Sequence, residues 1–205
     1  MAIGSFNPAI FSPAWFSKQG LLPEGEADDA QVEAILPQAA KFRLDWLEVA
    51  VLPNRLSMST TQPQNVRFLR DLITGTFQLL RHTPVSAFGI NRDAHFKIED
   101  ADRIKEIGDA LVPKGPFQEI MNEPKTLTVR LQGSRLDEHQ GQHVITIEPS
   151  GLVTPGIYIG TNEHFDSADH EGVDGADWMV QLIEEEWDNC LMRAEDAWHV
   201  VLSVR

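Results

Sequence analysis

Residues 42–60, FRLDWLEVAVLPNRLSMST, and the stretch that follows them to Arg92 decide the fold class. From Phe42 the side chains alternate with a period of two. Phe42, Leu44, Trp46 and Glu48 stand against Arg43, Asp45, Leu47, Val49 and Val51, the signature of a strand. Pro53-Asn54 is a turn signal, and Leu56, Met58 and Thr60 alternate after it, so residues 42–61 predict a hairpin. Thr61 and Pro63 then open a helix whose apolar stripe is Val66, Leu69, Leu72, Ile73, Phe77 and Leu80. Arg67 and Asp71 are spaced to pair on its outer side. Gly75 inside it costs roughly 1 kcal/mol relative to Ala, a cost that close packing would explain. A strand, Val85 to Arg92, follows.

Working outward, Ser12 and Pro13 predict a short helix near 13–19 that stops at Gly20. The arm before Gly25 carries Phe6, Phe11, Trp15 and Phe16, which are expected to pack on the chain's own core or to cover a partner. Val32, Ile35 and Leu36 fit a helix over Glu26–Leu36, limited by Pro37. Downstream, residues 94–99 suit a loop or short strand. Asp100 is placed to cap a helix bearing Ile104, Ile107 and Leu111. Period-two runs recur at Leu127–Leu131, Val144–Glu148 and Ile157–Gly160. A polar, acidic segment spans Thr161 to Asp177. A long helix carries Met179, Ile183, Trp187, Cys190 and Leu191, and Val200–Val204 suits a final strand or a continuation of that helix. The expected class is therefore α+β, a mixed and mainly antiparallel sheet with packed helices, built as two related ββαβ units. The corresponding division is an aromatic arm with short helices (1–40), a first αβ lobe (41–122) and an acidic second lobe (123–205), or one continuous domain.

Charge is unevenly spread. The net charge is −14, and residues 136–205 hold fifteen acidic side chains against Arg193 and Arg205, a balance of −13. Such a surface repels nucleic-acid phosphate and anionic lipid, and attracts basic partners or cations. No stretch approaches the ~18 apolar residues of a membrane span, and residues 1–16 do not read as a secretory signal. Cys190 is the single cysteine, so no intrachain disulfide forms and a cytoplasmic setting is expected.

The chain lacks a phosphate loop, a dinucleotide-binding glycine motif, a Gly-x-Ser-x-Gly elbow, a His-Glu-x-x-His helix and a kinase signature. The densest chemistry lies in 162–174, where His164, Asp166, Asp169 and His170 offer imidazoles and carboxylates to zinc or manganese. The remote His139 and His143 are available as further ligands. A calcium loop does not fit: counting from Asp166, the third and fifth positions are Ala168 and His170. Arg92, Asp93 and His95 follow a strand, where α/β proteins place functional groups. Cys190, on an apolar helix face, suits a buried hydrophobe better than a nucleophile. Glu184-Glu185-Glu186 marks a solvent face, or a docking surface for a basic partner.

These features give as leading expectation a non-catalytic protein–protein interaction or assembly subunit, with no cofactor, whose acidic surface docks a basic partner or which self-associates, without direct nucleic-acid or membrane binding. The rivals are a small metal-dependent hydrolase using the His/Asp loop 163–174, and an acidic mimic of nucleic acid.

Overall fold

The structure, a computed structural model, describes residues 1–167 and 175–204. The fold is α+β, with helices and a nine-stranded antiparallel sheet. The strands are β1 (Ala2–Gly4), β2 (Gln31–Leu36), β3 (Ala39–Arg43), β4 (Glu48–Leu52), β5 (Arg55–Ser59), β6 (Val85–Lys97), β7 (Val129–Ser134), β8 (Gly141–Pro149) and β9 (Gly156–Asp166). The helices are α1 (Pro13–Lys18), α2 (Glu24–Asp28), α3 (Val66–Leu79), α4 (Ala101–Leu111) and α5 (Asp177–Ser203). Hydrogen-bonded neighbours run in the order β2-β3-β4-β5-β1-β6-β9-β8-β7. Among the described residues no helix is long and apolar enough to cross a membrane.

The chain forms two compact units, each assembled from two stretches: Met1–Gly89 with Phe165–Trp187, and Ile90–His164 with Asp188–Arg205. In the first unit the N-terminal aromatics pack on their own chain. Phe6, Phe11 and Phe16 are buried; the Phe16 ring lies 5.8 Å from Phe42 and the Phe6 ring 6.3 Å from Phe77. Ser12 caps α1 by accepting from the Trp15 N–H at 3.2 Å, as its place before Pro13 predicts. Phe88 stacks on Phe165 with centroids 4.7 Å apart, and the Trp178 indole N–H donates to the Val85 carbonyl at 3.1 Å.

Three expectations for this unit are corrected. Residues 31–36 are strand, not helix: Pro37 and Gln38 close a tight turn, and the edges of β2 and β3 satisfy each other along Val32↔Phe42 to Leu36↔Ala39. Helical spacing of three apolar residues did not outweigh that long-range ladder. The long run from Phe42 is two strands, β3 and β4, separated by a turn in which the Leu44 N–H donates to the Leu47 carbonyl. The hairpin about Pro53-Asn54 is β4/β5, with Val51 opposite Leu56. Asp71 pairs with its neighbour Arg70 at 2.8 Å instead of Arg67.

The second unit packs α4 and the end of α5 on one side of its strands. Ile107, Val129, Ile147, Ile157, Ile159 and Val201 form its core. Asp100 caps α4 as expected, accepting from the Asp102 N–H. The tail is helix to Ser203, not a strand at Val200–Val204. Ala194, Ala197 and Val201 continue the buried face of α5, and the Arg103 guanidinium accepts the role of a cap by donating to the carbonyls of Leu202 and Val204. The second ββαβ series therefore ends in its helix.

Candidate functional site

Strand β9 extends through Asp166, so Thr161–Asp166, expected as an acidic loop, is paired strand. Alternation along it decides what each side chain meets. Ile157, Ile159, Thr161 and Glu163 point to the core side, and Glu163 is only 2% exposed. A carboxylate in that position must be paired, because an isolated buried charge is very costly.

Two guanidiniums supply the pairing. Arg135, whose side chain is 1% exposed, donates from one terminal nitrogen to Glu163 Oε2 at 2.6 Å. Arg193, on α5, donates from Nε to Glu163 Oε1 at 2.8 Å. Arg135 also makes a fork to Asp137, with Nε donating to Oδ1 at 2.9 Å and a terminal nitrogen donating to Oδ2. Arg193 lies 3.5 Å from the same Asp137 oxygen, and the His139 backbone N–H donates to Asp137 Oδ1. His143 Nε2 approaches Glu163 Oε1 at 3.8 Å. Among the described residues, the cations Arg135 and Arg193 and the anions Asp137 and Glu163 thus neutralise one another where β9, α5 and the 135–137 segment meet.

The electrostatics follow from this geometry. Burial pulls Arg135 down, but its hydrogen bond to Asp137 and the charges of Glu163 and Asp137 outweigh that, holding it above its ordinary value. Burial pushes the Asp137 carboxyl up, but the Arg135 hydrogen bond and charge overcome it and hold it below the usual carboxylate range. Cys190 borders the network, its Sγ accepting from Arg193 at 3.3 Å. Burial first, then the Glu163 charge, push its thiol up to about 12 against the pull of Arg193 and Arg135, so it is a neutral thiol near pH 7.

The opposite side of the same strands carries a second polar group. His95 Nδ1 lies 2.8 Å from Ser150 Oγ. That oxygen accepts from the Leu152 and Val153 backbone N–H groups at 3.1 and 3.0 Å, which leaves the hydroxyl proton for His95. The Tyr158 ring sits 5.0 Å from the imidazole, and burial followed by the Asp93 and Glu148 charges raises its hydroxyl above the ordinary value. Ser150 closes its turn with the lone pairs a nucleophile would use.

The sequence-derived candidates fall at several places in the second unit and at the end of β9. Arg92 turns away from Asp93 and His95 by strand alternation. It donates to the Leu191 carbonyl, pairs with Glu195 at 2.8 Å and lies 4.7 Å from the Trp198 ring centre. His164 and Asp166 alternate onto the Tyr158 side of β9, whereas His143 meets Glu163 on the other. Asp169 and His170 lie outside the described residues. Among the described residues no group of three or more His, Cys, Asp or Glu side chains is placed to hold a metal ion.

Sequence reasoning missed Arg135, Asp137, Glu163 and Arg193 as a unit. A signal existed: Glu163 continues the period-two apolar face of Ile157 and Ile159, and Arg193 falls three residues after Cys190 on the apolar stripe of α5. Comparison of the chain with protein-family models, with curated proteins and with solved structures finds no match in any of the three.

Proposed function

We propose that this protein is a non-catalytic interaction or assembly subunit that docks a basic protein partner on the outward face of α5. The observation that carries this reading is the exposure of acidic side chains along α5, Glu184 and Glu185 in the first unit and Asp188 and Asp196 in the second. The other acidic residues of the C-terminal third are partly spent. Asp137 and Glu163 are neutralised by Arg135 and Arg193, Asp177 pairs with Arg81 at 2.6 Å, and Glu195 pairs with Arg92. What stays exposed on each unit's part of α5 is charge of one sign, which speeds and orients encounter with a basic surface and repels phosphate.

The test is a charge-reversed variant, E184K/E185K/D188K/D196K, compared with the native chain by cross-linking mass spectrometry in native extract. The reading expects basic proteins cross-linked to α5 in the native chain, lost in the variant and lost as salt is raised. The same cross-links in both proteins, or none to α5 in either, would remove it.

A further inference from the structure

We propose that β7 is a dimerisation edge at which two copies of this chain pair antiparallel about Leu131. Strand β7 ends the strand order and pairs with β8 residue for residue, Val129↔Ile147 to Ser134↔Gln142, without a bulge. Arg130 to Ser134 are all exposed, and among the described residues no strand lies on the outer side of β7. Its outer row of backbone N–H and C=O groups is a template for another extended strand.

Proteins blunt such edges with bulges, charges, proline or a cover. The other edge, β2, shows two of these devices: its register shifts between Val32 and Ala34, and Glu33 pairs with Lys41 at 2.9 Å. Strand β7 has no proline, no bulge and one charge, Arg130. Leu131 is 52% exposed, although it points to the same side as buried Val129, so the apolar side of the strand runs uncovered to the edge.

The side chains select the occupant. A second copy placed with Leu131 opposite the partner's Leu131 sets Arg130 against the partner's Gln132 and Val129 against the partner's Gly133. Like charges stay apart, and each leucine covers the other. Centring the pair on Arg130 would oppose two cations. Centring it on Gln132 would set Leu131 against glycine and leave it uncovered. This inference is independent of the α5 face, and either can fail without the other.

Sedimentation velocity of the full chain over a concentration series tests it. The native chain is expected to show a reversible monomer–dimer equilibrium. Leu131→Lys and Leu131→Glu are each expected to be monomeric, and their equimolar mixture to regain the dimer. Should either leucine variant misfold by circular dichroism, the exposed position 132 decides. Gln132→Glu, facing Arg130, should tighten the dimer about 2- to 30-fold, and Gln132→Lys should weaken it by a similar factor. A native chain that stays monomeric throughout, a dimer that ignores these substitutions, or pairing only with a foreign strand would overturn the proposal.

Discussion

Arg193 Nε donates to Glu163 Oε1 at 2.8 Å, joining the helix α5 to the strand β9 across thirty positions of sequence. Glu163 is held there from both oxygens, because Arg135 takes the second. Removing one member of such a set leaves buried charge without a counter-charge. Glu163→Leu is therefore expected to cost about 3–5 kcal/mol in urea denaturation, whereas the combined change R135M/D137N/E163L/R193M, which removes all four charges together, is expected to recover most of that loss. A single variant as stable as the native chain would show that the network is not what holds these elements.

Acid should loosen the same region. Asp137 titrates below its unfolded value in the folded chain, so the unfolded chain binds a proton first as pH falls. Its contribution to stability is full above about pH 4 and is lost as pH drops through the folded value. Asp137→Asn is expected to flatten the stability–pH profile below about pH 4. An unchanged slope in that window would contradict the assignment.

Cys190 combines burial with a thiol held at about 12. A thiol reagent at about pH 8 is expected to react with the native chain at least tenfold more slowly than with the urea-unfolded chain. Equal rates would place the sulfur at the surface.

At Gly75 an added Cβ would lie 2.7 Å from Leu21 Cδ2, the end of a half-buried side chain in the same unit. Leu21 can swing aside for one methyl. Gly75→Ala is accordingly expected to gain up to about 1 kcal/mol from helix propensity. Gly75→Leu is expected to lose about 1–3 kcal/mol by overpacking. Thermal unfolding of the two variants reads both signs, and a loss in Gly75→Ala would show that Leu21 is fixed.

Local chemistry was legible wherever neighbours in sequence set it. Pro53-Asn54 marked the β4/β5 turn, Ser12 and Asp100 marked two helix starts, and the stripe from Val66 to Phe77 marked α3. The site was not legible in the same way. His164, Asp166, Asp169 and His170 are close in sequence; His164 and Asp166 share one side of β9, His143 meets Glu163 on the other, and Asp169 and His170 lie outside the described residues. Arg135 and Arg193 meet a shared partner 28 and 30 positions away, beyond the reach of local spacing.

By itself the sequence determined the α+β class, the turns and caps, the acid-rich last third and the solvent face of α5, since each follows from spacing along a few turns of chain. Tertiary structure decided that residues 31–36 are strand and 200–203 helix, because a ladder with β3 and a buried helix face outweigh local propensity. It also decided which charges are spent and which are free. Ion pairing depends on distance in space, and Glu163 finds its partners only after β9 and α5 have packed.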